Sequence, residues 1–328
     1  VSKKYPRFFN TLSSFVMSPV IPVVLTADNR YIRQCATTIL SALENSSSPA
    51  NISFYLISPD ISEDNIYKLK RLCECFNARL SVINIDLDLF SSFPTIYEHL
   101  NLNVYSRLYI PNLLPQHDRV IYLDCDIIIL GDLYELFSVL NEGKVVSAIP
   151  HVQFPYQEDF KKEFSIEQED SYFNAGVMLL ELEGWRIKNY SNQLLRWIAN
   201  NSTKLQFNDQ DALNFMFWGN YYHLPGEWNV EARLYKEKLL GLPQTDEIAK
   251  RMKSPKIIHY TGPDKPWSSK NYVPKREVYL EYSDRLSRLI GWQIDSEVRC
   301  CQPSNFIYFL WSCFYFRMSW NLRNLLKA

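Results

Sequence analysis

The stretch Val120-Ile-Tyr-Leu-Asp124-Cys-Asp126-Ile-Ile-Ile-Leu130-Gly-Asp132 decides the reading of this 328-residue chain. Four apolar residues deliver two carboxylates at i and i+2, and four more apolar residues follow. In an extended chain, side chains two apart project to the same side. Asp124 and Asp126 are therefore expected to converge where a core strand is interrupted. Two carboxylates brought together near a core repel and lose hydration unless a cation lies between them. Oxygen ligands suit Mg2+ or Mn2+, and such an ion can neutralise a diphosphate. Acids at this spacing are also common on exposed strands; the apolar flanks argue against that plainer reading.

Working outward, strand-like and helix-like segments alternate. Residues 20–26, 52–58, 80–85, 119–123, 145–149 and 176–182 read as strands. Between them, Ala36, Ile39, Leu40 and Leu43 follow helical spacing, and Ser62 is placed to cap a helix whose apolar face is Ile66, Leu69, Leu72, Cys73 and Phe76. Residues 104–114 read as a helix ended by Pro115, and Tyr190, Leu194, Trp197 and Ile198 mark another. This order predicts an α/β fold on a mostly parallel sheet covered on both faces. Such sheets bind ligands at the carboxyl ends of their strands, where Asp124 falls.

Three companions lie downstream. Tyr172-Phe-Asn174-Ala-Gly176 enters a strand through Asn-Ala-Gly. In Phe207-Asn208-Asp209-Gln210-Asp211, Asn208 is expected to cap a helix with Asp211 at its third position. Acids at a helix start are ordinarily capping charges. In Lys256-Ile-Ile-His259-Tyr-Thr-Gly262-Pro-Asp-Lys265-Pro-Trp267, a strand-end His precedes a Gly and a Lys. His ligates metals, Gly permits close backbone approach, and Lys offers a point charge to phosphate. A lone His here would be read as a packed side chain.

Together with Thr26-Ala-Asp28-Asn29 and Tyr105-Ser-Arg107-Leu108, these segments occur in one order across residues 20–270. The chain thereby resembles glycosyltransferase family 8, retaining metal-dependent nucleotide-sugar enzymes with the GT-A fold. Within the family it is similar to bacterial galactosyl- and glucosyltransferases that extend lipopolysaccharide or lipooligosaccharide cores. The resemblance implies a Rossmann-like, mixed, mostly parallel sheet flanked by helices, with a C-terminal helical appendage. It implies Mn2+, or Mg2+, held by Asp124, Asp126 and His259. The donor, UDP-glucose or UDP-galactose, would meet Asp28 and Asn29 at its uridine, Arg107, Asn174 and Asp209 at its hexose, and Gly262 and Lys265 at its diphosphate. Gln210 would sit near the anomeric carbon, which makes Asp209 and Gln210 the expected catalytic pair. Because Arg30 stands between Asn29 and Tyr31, the register of the uridine contacts is open by one residue.

Composition sets the outer bounds. The net charge of −1 offers no field for nucleic acid. Only 9 glycines leave little material for glycine-rich phosphate loops. Seven cysteines without metal-binding spacing read as reduced thiols. The expected organisation is an extension over 1–19, a catalytic domain over 20–275, and a helical region over 276–328. The last part, residues 298–328, lacks acids and carries Arg299, Arg317, Arg323 and Lys327 among aromatics, which suits an anionic membrane surface. The start of the chain reads as no signal peptide, so the expected place is the cytoplasmic face of the inner membrane, with a glycan or lipid-linked acceptor. Residues 91–104 and 151–172 are expected as lids. Two other classes compete: a non-catalytic sugar-nucleotide- or glycan-binding module on the same fold, and a phosphatase using Asp124 as nucleophile. The second is disfavoured because its motif normally opens the first strand.

Overall fold

The structure, a computed structural model, describes residues 19–94, 102–152, 154–267 and 272–292. The extension before residue 19, the centre of the first expected lid and the basic-aromatic segment 298–328 lie outside the described residues.

A seven-stranded sheet forms the centre, in the order β3-β2-β1-β4-β7-β6-β8. Its strands are β1 (Ile21–Thr26), β2 (Ile52–Ser58), β3 (Arg79–Asn84), β4 (Arg119–Leu123), then β6 (Val146–Pro150), β7 (Phe173–Glu181) and β8 (Tyr222–His223). A second sheet orders β5 (Ile127–Ile129) beside β10 (Ile257–His259) and β9 (Val230–Glu231). In the large sheet β3, β2, β1 and β4 are parallel, β7 runs against β4 and β6, and β6 is parallel to β8. The sheet is thus mixed and mostly parallel, as the sequence order predicts.

Both faces are covered, and the period-two alternation of each strand supplies both. Val23 and Leu25 of β1 with Ile121 and Leu123 of β4 join one core. Val24 with Val120 and Tyr122 joins the other. The first core is closed by helix Ile32–Glu44, whose Ile39, Leu40 and Leu43 are fully buried. Each such side chain contributes roughly 1.5–3 kcal/mol by leaving water. Helix Arg276–Ile290 packs on that helix, burying Tyr279, Tyr282 and Leu286 in the same core. Helix Glu63–Glu74 begins as its sequence predicts, with Ser62 Oγ accepting from the Asn65 N–H.

The chain departs from its sequence reading in four places. Asp124 and Asp126 do not interrupt one strand. They occupy a bend between β4 and β5, which belong to different sheets. Residues 104–114 are not one α-helix: Leu102–Tyr109 is a 3-10 helix followed by the short helix Ile110–Leu113. Pro111 lacks the N–H that a longer α-helix would use there. β7 begins at Phe173, three residues before its expected start, because Ile149 and Pro150 pair with Asn174 and Phe173 beyond a bulge. Finally, the Asn208 side chain makes no capping hydrogen bond. Asp211 reaches back instead, accepting from the N–H groups of Gln206 (2.7 Å) and Phe207 (2.9 Å) and from the Tyr172 hydroxyl (2.5 Å).

Candidate active site

Strand order puts the site where it is. β2 and β3 lie on one side of β1 and β4 lies on the other, so the carboxyl ends of β1 and β4 flank a crevice of the kind in which open α/β sheets bind ligands. Asp28 follows β1 and Asp124 follows β4. The antiparallel β7 brings its amino end to the same edge, and the Asp124 N–H donates to the Gly176 carbonyl at 2.8 Å. The second sheet adds the last wall. His259 pairs with Ile127 on one side and Glu231 on the other, and the Tyr260 N–H donates to the Asp126 carbonyl at 2.9 Å. The result is a cavity of about 600 Å3.

At one corner Asp124, Asp126 and His259 offer ligand atoms within 4.8 Å of one another. Two ligands of one ion bonded at about 2.1 Å lie at most about 4.2 Å apart, and the His259 nitrogen meets that limit toward both carboxylates. The ligand atoms are also aimed. Asp124 Oδ1 is held by the Tyr122 hydroxyl (2.8 Å) and Arg107 Nη2 (3.0 Å), while Oδ2 faces His259 Nε2 at 3.8 Å. Asp126 Oδ1 lies 3.1 Å from the same nitrogen, and its Oδ2 pairs with the Lys265 ammonium. Burial opposes the charge on Asp126, but Lys265 and His259 outweigh it and hold the carboxyl far below its ordinary range. Burial likewise opposes a charged His259, and Asp126 raises its pKa above the usual value.

Gly176 lies against this corner. A Cβ there would sit 2.3 Å from His259 Cε1 and 2.7 Å from Asp124 Oδ2, so no larger residue fits without displacing a ligand. Gly262 also lines the cavity, and its reason is different. It has φ +79 and open space around it, so its need is for the backbone conformation.

A second corner is built on Arg107. Its guanidinium is buried, stacks over the Tyr122 ring at 4.6 Å, donates to the Ala175 carbonyl at 2.9 Å and pairs with Asp124. Nε lies 2.9 Å from Asp209 Oδ2, but its N–H is directed to the Val104 carbonyl. That contact is therefore Coulombic, and the buried Oδ2 has no hydrogen-bond donor among the described residues. A donor hydroxyl would satisfy it. Burial pushes the Asp209 carboxyl up to about 7, with Arg107 pulling the other way. Asn208, just before it, holds the left-handed φ of +48, a strained conformation for a side chain-bearing residue. Gln210 lines the cavity with its oxygen accepting from the Ala175 N–H at 2.9 Å.

Asp28, Arg107, Asp124, Asp126, Asn174, Asp209, Gln210, His259, Gly262 and Lys265 all border this one cavity. Asn29 does not. Its amide oxygen accepts from the Ser62 N–H (3.1 Å) and from Asn65 (3.0 Å), tying it to the next helix. The wall beside Asp28 is formed instead by Arg30 and Tyr31, and Asp28 accepts from the backbone N–H groups of both. Sequence reasoning also missed Asn229, which accepts from His259, and a group on the wall formed by the second sheet. There, Glu231 is buried between His151 (2.8 Å) and Arg233 (3.0 Å), and the His151 ring stacks on Phe154 at 4.2 Å. Burial opposes the Glu231 charge, but His151 and Arg233 keep its pKa well below the ordinary value. The expected second lid is an aromatic layer, with Tyr156, Phe160, Tyr172 and Trp218 packed together.

The crevice at the carboxyl edge of this doubly covered sheet thus holds a carboxylate–carboxylate–imidazole cluster joined through Arg107 to a buried Asp209. Comparison with known proteins supplies its class. Glycosyl transferase family 8 matches residues 22–271, and the chain belongs to that family; it is a glycosyltransferase with the GT-A fold. General stress protein A of Bacillus subtilis is 27% identical over 272 residues, covering 80% of this chain and 93% of that protein. The lipopolysaccharide 1,2-glucosyltransferase of Escherichia coli is 27% identical over 272 residues, covering 82% and 79%. Among solved structures, the galactosyltransferase LgtC in complex with donor and acceptor sugar analogs superposes with a TM-score of 0.71 at 24% identity, covering 85% of this chain and 99% of that one. That likeness concerns the fold.

Proposed function

We propose that the chain transfers a hexose, glucose or galactose, from a UDP-sugar to a glycan hydroxyl with retention of anomeric configuration and Mn2+ assistance. The observation that carries this reading is the meeting of Asp124, Asp126 and His259 within 4.8 Å on the wall that also holds the Arg107–Asp209 pair. Bound there, Mn2+ or Mg2+ would supply positive charge against the diphosphate of the donor. Asp28, Arg30 and Tyr31 border the cavity and would face the uridine. Lys265 would exchange Asp126 for the departing phosphate, and Gly262 would let the backbone approach it. Asn174 and the unsatisfied oxygen of Asp209 would hold hexose hydroxyls. At its raised pKa, Asp209 can exist near neutral pH both as acceptor and as donor of a hydrogen bond.

Retention needs either a carboxylate nucleophile or attack from the leaving-group face. Gln210 is an uncharged amide whose oxygen already accepts from Ala175. Asp209 is engaged by Arg107. We therefore favour front-face attack, with the departing phosphate taking the proton of the acceptor hydroxyl. The acceptor would approach past His151, Phe154 and Arg233, at the cavity wall formed by the second sheet. By likeness to the named glucosyltransferase, it would be a lipopolysaccharide core or another cell-surface glycan. The enzyme would then work at the cytoplasmic face of the inner membrane. Among the described residues no helix is long and apolar enough to cross a membrane. Attachment would be peripheral, through the basic and aromatic residues of 298–328.

The test is UDP release from a panel of UDP-sugars by the full chain, with Mn2+ or with EDTA and without acceptor. Mn2+-dependent release from one UDP-hexose supports the reading and names the donor. Failure of UDP and Mn2+ to bind at all would overturn it.

A further inference from the structure

Asn229 touches no expected substrate atom, and no motif singles it out. It lies just before β9, which pairs in parallel with β10, so the chain here runs beside His259. Its side chain is buried. The orientation of its amide follows from a donor of certain identity. The Gly176 backbone N–H donates to Asn174 Oδ1 at 2.9 Å. The same oxygen lies 2.8 Å from the Asn229 amide, which must present its N–H2 there. Asn229 Oδ1 then faces the other way, 2.9 Å from His259 Nδ1. A carbonyl oxygen can only accept, so Nδ1 carries the proton. The remaining ring nitrogen, Nε2, is the one turned to Asp126 and Asp124.

We propose that Asn229 is a positioning residue with two duties. It holds His259 in the Nδ1–H tautomer, which presents the Nε2 lone pair to a divalent cation, and it ties that ligand to Asn174, the side chain proposed above to hold a hexose hydroxyl. Hydrogen-bond partners behind a metal-binding imidazole fix its tautomer and orientation in this way. The relay runs from Gly176 through Asn174 and Asn229 to His259, so the hexose contact and the cation ligand are aligned by one buried amide. This inference rests on the reading of Asp124, Asp126 and His259 as a cation site.

Two substitutions separate the duties. Asn229→Ala removes both. Asn229→Asp keeps an oxygen that accepts from Nδ1–H but can no longer donate to Asn174. The experiment measures Mn2+ affinity of the full chain without nucleotide, by electron paramagnetic resonance. It adds the 15N shifts of the His259 ring, the thermal midpoint as a check on folding, and KM and kcat for UDP-hexose hydrolysis. Asn229→Ala is expected to weaken Mn2+ binding by about 10–100-fold. Asn229→Asp is expected to stay within about threefold of wild type for Mn2+ and to keep the Nδ1–H signature. Its kcat/KM for the UDP-hexose should still fall by about tenfold, with inhibition by UDP unchanged. A folded Asn229→Ala protein with wild-type Mn2+ affinity would overturn the proposal. If that variant does not fold, Asn229→Asp decides: loss of Mn2+ binding, or full sugar turnover, overturns it. A wild-type protein that binds no Mn2+ would sink the cation reading and the role of Asn229 with it.

Discussion

Asp126, partly exposed, and Asp209, buried, are two carboxylates on the walls of one cavity, and the protein drives them in opposite directions. Asp126 is held ionised well below the ordinary range, whereas Asp209 is pushed up to about 7. Burial penalises the charge of both. The difference lies in the company. Asp126 has the Lys265 ammonium and the His259 imidazole on its two oxygens. Asp209 must share one guanidinium, Arg107, with Asp124, and that guanidinium also spends its N–H groups on two backbone carbonyls. One acid is thereby fitted to meet cations and the other to meet hydroxyls. Positive charge is concentrated where a diphosphate would leave and is thinned where a neutral sugar would sit.

The contrast can be broken from either end. The largest effect is expected at the charged corner: Asp126→Ala should lower Mn2+-dependent UDP release by about 1000-fold or more, since it removes a ligand and the anchor of Lys265. Steady-state kinetics against Mn2+ concentration checks this. At the other corner, Arg107→Met leaves Asp124 and Asp209 without their shared cation. Removing one partner of a buried ion pair costs about 3–5 kcal/mol, and urea unfolding should register it. Gly176→Ala drives a Cβ into His259 and Asp124 together. It should weaken Mn2+ binding about 10–100-fold while disturbing folding less than Arg107→Met does.

The smallest effect sharpens the comparison by pH. Folded Asp209 keeps its proton to about 7, whereas an unfolded aspartate loses it near the ordinary 3.8. Between those values the native state binds the extra proton, so wild-type stability should fall as pH rises through this window. Asn at 209 cannot titrate. Relative to Asp209→Asn, the wild type should lose about 2 kcal/mol between pH 5 and pH 7, measured by unfolding at each pH. A difference that grows in the opposite sense would mean that Arg107 holds Asp209 ionised.

The two corners were not equally legible in the sequence. β2 and β4 match their expected limits because each is a buried run of five to seven apolar-rich residues. The Asp124-Cys-Asp126 pair announced itself by breaking such a run. What stayed hidden depends on long-range pairing. β9 is two residues and β5 three, too short to carry a period, so the second sheet could not be read, nor could Asn229 and Glu231 as neighbours of His259. The bend at Asp124 was invisible because Ile127 to Ile129 are as apolar as the strand before them, although they pair with β10 in another sheet. Asn208 looked like a cap because it has a capping side chain at the right place. Asp211 took that duty because Tyr172, just before β7, donates its hydroxyl to that carboxylate from far along the chain. Asn29 fell on the helix side of a turn whose register the sequence left open.

In the proposed reading, Asp124, Asp126 and His259 hold a divalent cation that, with Lys265, receives a diphosphate. The most direct test is Mn2+ binding to the full chain by electron paramagnetic resonance, with and without UDP. One Mn2+ should bind, with an affinity that rises at least about tenfold when UDP is present, the coupling expected when two ligands share contacts. His259→Ala should abolish the coupling. Mn2+ binding that UDP leaves unchanged, or that survives His259→Ala intact, would contradict that reading.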